Sequence, residues 1–271
     1  MAHMLARASG AVTQIPATGK IAKPEKTRPG NPNQLTVKQH VFPVRSMLPF
    51  VDKKGQVCVF DMVRGKQRSA KPKNEIFCAL RAWDQQTELA MKLIEDKFQE
   101  VVQPIITGKV NTVAAEQKPA IDSMLALWST RTYCRRLDTQ EIQLTGVPGH
   151  DLTKEQEENL EKNGYKFVRM GGKMPARQLN GLEIQLRVGH CVRAYATALK
   201  GWGVVQAQSG EFIVPDIPLS AIIPLSPKLA LVASADGTIF EQNVVAINNA
   251  LRAGCSEYYF AHDLSKCQFS G

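Results

Sequence analysis

The chain has 271 residues, of which 44% are hydrophobic and 22% are charged, and this composition excludes a protein too polar to form a core. Its formal net charge is +9. Residues 1–75 contain 14 Lys+Arg and 4 Asp+Glu, a net charge of +10, whereas residues 76–271 have a net charge of −1. Concentrated positive charge attracts polyanions, so nucleic acid is an expected partner. The alternative is a solvated basic arm that binds nothing.

The N-terminal half begins with residues 1–33, which are rich in Lys, Pro, Gly and Thr and predict a flexible basic arm. The rest, residues 34–271, is predicted to form a single α+β domain.

Four elements are predicted in the N-terminal half of this domain. They are a buried strand in 56–62 after a Lys-Lys-Gly turn at 53–55, a basic loop at 64–73, a helix over 76–103 ended by Pro104 and Gly108, and a helix over 118–137.

The C-terminal half predicts an acidic helix over 151–164, in which Thr153 and Gln156 form a capping box, a helix over 178–203, a strand, turn and strand over 210–227, a helix over 242–254 and a strand over 257–262. Strands toward both ends with helices between them favour the α+β class. We expect a helical middle section packed with a small mixed or antiparallel sheet from the N- and C-terminal segments.

Two further features bear on the compartment. The six cysteines are scattered and form no C-x-x-C pair, which predicts reduced thiols and a cytoplasmic protein. The most apolar run, 217–233, contains three prolines and Lys228 and is too short and too interrupted to predict a membrane span.

Several short motifs in a fixed order resemble a known family. They are Q-H-V-F-P (39–43), L-P-F (48–50), T-E-L-A-M-K-L-I-E (87–95), L-A-L-W-S-T-R-T (125–132), V-P-D-I-P (214–218), I-P-L-S-P (223–227), N-N-A (248–250) and E-Y-Y-F-A (257–261). Together they are similar to the mostly bacterial family of unknown function numbered 4238, over about residues 35–262. The resemblance implies a fold boundary and no established activity.

Three residues are candidates for catalysis. His40, in a neutral form near pH 7, is a candidate general base, and the alternative is a structural hydrogen bond at a strand end. Asp216 lies between two prolines after a predicted strand, so its carboxylate should be held rigidly. A rigid carboxylate could bind a metal or contact His40. The alternative is an Asx-type turn, in which Asp216 bonds its own backbone. Arg131, at the end of an apolar helix, is a candidate phosphate ligand, and a helix-terminal cation is the alternative.

A metal site is the second hypothesis. Glu88 and Glu95 are seven residues apart, so both side chains point to the same side of a helix. Together with Asp216 they are candidate ligands of Mg²⁺ or Mn²⁺, which would orient a phosphate and activate water. The alternative is a solvated helix face with Lys92 as the ion-pair partner.

The basic segment supplies candidates for nucleic-acid binding: Lys38, Arg45, Lys53, Lys54, Arg64, Lys66, Arg68, Lys71 and Lys73. These residues favour a protein that acts on nucleic acid, namely a metal-assisted phosphodiesterase or nuclease of the bacterial toxin or phage-defence type. The alternatives are a non-enzymatic accessory protein of phage or plasmid origin that binds nucleic acid, and an inhibitor that binds a protein partner.

Overall fold

The computed structural model describes residues 24–137 and 140–269. Its helices are α1 Val44–Met47, α2 Gln85–Ile106, α3 Lys118–Arg135, α4 Lys154–Lys162, α5 Ala176–Ala198 and α6 Glu241–Ala253. Its strands are β1 Lys38–His40, β2 Val57–Asp61, β3 Lys66–Ala70, β4 Cys78–Leu80, β5 Glu141–Gln143, β6 Lys173–Pro175, β7 Trp202–Ala207, β8 Val214–Pro215, β9 Ile222–Pro224, β10 Leu229–Ala233, β11 Gly237–Ile239 and β12 Tyr258–Ala261.

Two four-stranded sheets form the β part of the fold. One has the order β3-β2-β12-β8 with antiparallel pairs throughout, so strands from the N-terminal third and from the C-terminus share it. The other has the order β11-β7-β10-β9, in which only the β11–β7 pair is parallel. Two short pairs, β1–β4 and β5–β6, complete the pairing. The predicted α+β class, with a helical middle section packed against sheets, is confirmed.

Helix α3 lies at the centre of the helical section. It packs against α2 and α5 and is buried on every side over its last two thirds, as expected for a helix surrounded by other elements. Its Trp128 ring lies 4.6 Å from the ring of Phe42, which in turn lies 6.3 Å from the ring of Phe260 in β12. This aromatic contact joins α3 to the first sheet, so residues at the C-terminal end of α3 face the sheet.

Two predicted boundaries were wrong. The basic stretch 64–73 is not a loop throughout, because β3 pairs with β2 from Val57↔Ala70 to Asp61↔Lys66. The helix predicted over 76–103 begins only at Gln85, where Asp84 accepts a hydrogen bond from the Thr87 backbone N–H. It continues past Pro104, since that proline lies in the last turn and the chain reverses only at Gly108, where φ is 72°.

The other elements agree more closely with the sequence, although the helix predicted over 178–203 ends at Ala198 and its last two predicted residues belong to β7. The capping box of Thr153 and Gln156 at the start of α4 is confirmed, as is the strand over 258–261. All six cysteines are free thiols. Among the described residues, no helix is both long and apolar enough to cross a membrane.

The described part of the predicted arm contacts the folded body. The Arg28 backbone N–H donates to Glu158 Oε1 at 2.7 Å, and Glu25 forms ion pairs with side chains of α4 and of the segment that follows it. Residues 24–33 are therefore fastened to the domain rather than free of it. Residues 1–23 of the predicted arm lie outside the described residues.

Candidate nucleic-acid interface and the adjoining His40 site

The β2–β3 hairpin forms an edge of the first sheet, since β3 has only β2 as a neighbour. Its strands pair Val57 with Ala70, so the turn before β2 and the loop after β3 leave the hairpin at the same end. The Asp52 carboxylate shapes that turn by accepting hydrogen bonds from the backbone N–H groups of Lys54 and Gln56, at 2.8 and 2.9 Å. The sequence thus brings two short lysine-containing segments together at one end of an exposed hairpin.

Four of the nine predicted nucleic-acid-binding residues are paired with acids, and five are not. The pairs are Lys38 with Glu75, Arg45 with Asp96, and both Arg64 and Arg68 with Asp61. Lys53, Lys54, Lys66, Lys71 and Lys73 are exposed and form no ion pair with any described residue. Of these five, Lys53, Lys54, Lys71 and Lys73 lie in the turn and the loop at the shared end of the hairpin, and we call them the basic cluster.

His40 lies directly beneath this cluster. Its ring Nε2 is 3.2 Å from the backbone oxygen of Pro72, the residue between Lys71 and Lys73. A carbonyl oxygen only accepts, so Nε2 carries the proton in this contact, and Nδ1 keeps its lone pair. Burial lowers the pKa of His40 below its ordinary value, and the positive charges of Arg131 and Lys73 lower it further. His40 is therefore a neutral imidazole at pH 7.

Arg131 and Glu95 form an ion pair whose charges both act on the pKa of this histidine, Arg131 lowering it and Glu95 raising it. Arg131 Nη1 lies 2.5 Å from Glu95 Oε1, and Arg131 Nε lies 3.4 Å from the Met91 sulfur. The guanidinium also lies 5.7 Å from the centre of the Trp83 ring, and the Arg131 side chain is only 1% exposed. Its burial and its ion pair with Glu95 argue against a phosphate contact, and the prediction that Arg131 binds a phosphate stays a prediction.

Glu88 also lies within reach of the Arg131 charge. Its Oε2 accepts a 2.6 Å hydrogen bond from Trp83 Nε1. Burial raises the pKa of Glu88, against the lowering effects of the Arg131 charge and the Trp83 hydrogen bond. Glu88 and Glu95 thus face the same buried arginine, as their spacing on α2 predicted, and Lys92 pairs instead with Asp96. Groups whose pKa is shifted by burial, as the pKa values of Glu88 and His40 are, mark candidate functional sites.

Asp216 is not part of this group. Its Oδ2 accepts from Arg136 Nη2 at 2.9 Å and from the Glu257 backbone N–H at 2.9 Å, and its Oδ1 accepts from the Ser256 backbone N–H at 3.1 Å. The side chain is fully committed to these buried contacts, and His40 is not among its partners. The prediction that Asp216 partners His40 is therefore wrong.

The predicted metal ligands are not gathered either. Across residues 24–137 and 140–269, no three His, Cys, Asp or Glu side chains lie close enough together to hold a metal ion. Glu88 and Glu95 face Arg131, while Asp216 faces Arg136. Arg136 directly follows the last residue of α3 and comes five residues after Arg131, so the two side chains point about 140° apart around the helix axis. Glu88, Glu95 and Asp216 therefore do not form one donor set.

Sequence reasoning missed two polar features. Arg136 is the partner of Asp216, although only its position at a helix end was visible in the sequence. A cluster of Lys154, Arg169 and Arg177 around Glu25 was missed as well. The several glutamates of α4 indicated ionic contacts, but their positions in the sequence did not identify which cations lie beside the helix.

The comparisons with known proteins add no further information. No family model, no curated protein and no solved structure matches the chain. The resemblance to the family numbered 4238 stays a prediction.

Proposed function

We propose that this protein binds nucleic acid by contacting the phosphate backbone with the basic cluster. The observation that carries the proposal is the set of four exposed lysines, Lys53, Lys54, Lys71 and Lys73, which share one end of an edge hairpin and form no ion pair with a described residue. Unpaired cations on a protruding element release counterions from a polyanion when they bind it, which favours association.

The local charge balance supports the same proposal. Residues 34–75 contain nine Lys or Arg and three Asp or Glu. The three acids are already used, since Asp61 and Glu75 pair with cations and Asp52 shapes the turn. Their hydrogen bonds and ion pairs hold the hairpin in shape and leave the cluster lysines to a ligand.

The kind of ligand follows from what accompanies the lysines. The large apolar side chains exposed on this hairpin are Met62 and Val63, neither of them aromatic, and the Phe60 ring is stacked on Tyr259 at 5.2 Å. Single-strand binders combine positive charge with exposed aromatic rings on which bases stack. Contacts to phosphates alone suit a duplex, whose backbone is regularly spaced and whose bases are already stacked. We therefore propose a duplex as the preferred ligand.

A binding assay with matched variants tests this proposal. Wild-type protein is titrated into labelled duplex DNA, duplex RNA and single-stranded RNA, beside a variant with glutamine at all four cluster positions. The control replaces Lys97, Lys109, Lys162 and Lys200, which are equally exposed and unpaired, so both variants lose the same charge. We expect the cluster variant to lose at least about tenfold in duplex affinity and the control to lose much less. Equal losses in the two variants would refute the proposal.

Phosphodiester cleavage is a second candidate function, favoured by the position of His40. Its neutral ring contacts the backbone oxygen of Pro72, the residue between Lys71 and Lys73, and keeps a lone pair on Nδ1. Incubation of the same nucleic acids with Mg²⁺, Mn²⁺ or EDTA tests it, with His40→Asn as the matched variant. Cleavage that His40→Asn abolishes without loss of binding would establish this activity. Binding without cleavage in every condition would exclude it.

A further inference from the structure

Three cations converge on the carboxylate of Glu25. Arg169 Nη2 lies 2.5 Å from Glu25 Oε1, Lys154 Nζ donates to the same oxygen, and Arg177 Nη1 donates to Oε2. We call Lys154, Arg169 and Arg177 the cation cradle. Glu25 itself belongs to a segment with neither helix nor strand, and its side chain is 30% exposed. A loosely structured segment therefore places a single anion in a site built by the folded domain.

The cradle is held in shape by residues other than Glu25. Arg169 Nε and Nη2 lie 2.5 and 2.7 Å from the two oxygens of Glu157, and Arg177 Nε lies 2.9 Å from Glu161 Oε2. Both guanidinium groups are thus fixed by α4. Removal of Glu25 would leave their remaining N–H groups pointing at the same place, which makes the cradle a preorganised anion site.

The charge balance indicates which anion fits. Without Glu25, five cations (the cradle, Arg81 and Lys173) face three acids: Glu141, Glu157 and Glu161. Positive charge is then left over, and Glu25 itself fills the site with a single negative charge, so the site suits an anion of that charge. A phosphodiester group carries one negative charge and presents two oxygens that arginine can bind side by side.

Protonation does not release Glu25 from this site at physiological pH. Burial by itself raises the pKa of Glu25, but the charge of Arg177, together with the charges of Lys154 and Arg169 and the Lys154 hydrogen bond, outweighs burial and lowers the pKa to about 2. The carboxylate is ionised at every physiological pH. The next contact of this segment with the folded body is the Arg28 backbone N–H, which donates to Glu158 Oε1 at 2.7 Å.

We propose that the cation cradle is a second phosphate-contacting site, which Glu25 occupies in the free protein and which a backbone phosphate of the nucleic acid takes over on binding. This inference rests on the proposed nucleic-acid binding and adds a competing carboxylate to it. Because Glu25 competes for the cradle, the wild-type protein should bind nucleic acid less tightly than a variant without the Glu25 charge.

The test is duplex DNA affinity in a pair of matched variants. Glu25→Gln removes the competing charge from the cradle. Glu155→Gln removes the same charge from an exposed position on α4, where Glu155 pairs with Arg28 rather than with the cradle. We expect Glu25→Gln to bind about five- to tenfold more tightly than Glu155→Gln, with a slope of log K against log salt steeper by about 1. Adding Arg169→Gln should remove this gain.

Equal affinities of Glu25→Gln and Glu155→Gln would overturn the inference while leaving the proposed function intact. Absence of duplex binding in the wild-type protein would overturn both.

A second readout uses the wild-type protein and does not depend on how the variants fold. Lys26 follows Glu25 directly, so bound duplex should speed tryptic cleavage of the Lys26–Thr27 bond as the segment is displaced. Unchanged or slower cleavage at that bond would contradict the inference.

Discussion

Replacing Asp216 with alanine should destabilise the fold strongly. The substitution leaves Arg136 buried without its main partner, although Arg136 keeps Glu257 Oε1 at 3.1 Å. Breaking a buried ion pair costs about 3 kcal/mol at the low end of the usual range. The backbone N–H groups of Ser256 and Glu257 also lose their acceptor, which adds about 1 kcal/mol each. We expect a loss of about 4 to 5 kcal/mol in the free energy of unfolding.

Urea unfolding of wild type, Asp216→Ala and Asp216→Asn measures this loss. Asparagine keeps one carbonyl oxygen for the backbone N–H groups, so Asp216→Asn should lose about 2 kcal/mol, less than alanine does. Both variants should bind duplex DNA with wild-type affinity under conditions where they remain folded, because Asp216 lies outside the basic cluster. An Asp216→Ala variant within about 1 kcal/mol of wild type would refute the assignment of Asp216 as a structural residue.

Three further predictions concern stability. The pKa of Glu25 is lowered from 4.5 to about 2, so the ionised carboxylate stabilises the fold above pH 4.5 and this stabilisation is lost as pH falls toward 2. At pH 6 the urea midpoint of wild type should therefore be higher than that of Glu25→Gln. A difference that persists at pH 2 would contradict this. Gly181→Ala should lower the free energy of unfolding by about 2 kcal/mol, because the new Cβ would lie 2.2 Å from Asp84 Oδ2. Gly189→Ala on the same helix should raise it by about 0.5 kcal/mol. Thermal melting compares the two variants, and equal effects would contradict the close packing at Gly181. Thr153→Ala should lower the unfolding free energy by about 1 kcal/mol through loss of the helix cap, and an unchanged urea midpoint would contradict that.

Local periodicity was enough to predict much of the fold and part of the His40 site. The spacing of Glu88 and Glu95 placed both on one side of α2, and the charge of Arg131 acts on that side, through an ion pair with Glu95 and an effect on the pKa of Glu88. These relations depend on helix geometry, which the sequence reports directly. The α+β class followed in the same way, from the order of strand-like and helix-like segments.

Long-range pairing could not be predicted. Strand β3 has the sequence K-Q-R-S-A, which lacks β-branched and aromatic residues, and it is a strand because β2 offers a pairing edge. Asp216 and Arg136 are 80 residues apart, and nothing in either neighbourhood identifies the other. Which of several acids meets a given arginine depends on how helices and sheets pack, and a single sequence does not report that.

The most direct test of the proposed function is the salt dependence of duplex DNA binding. Each phosphate contact by a lysine contributes about 0.9 to the slope of log K against log salt. The variant with glutamine at Lys53, Lys54, Lys71 and Lys73 should therefore have a slope shallower than wild type by roughly 3 to 4, while the control with four other lysines replaced keeps the wild-type slope. Identical slopes in wild type and the cluster variant would contradict the claim that these lysines contact phosphates.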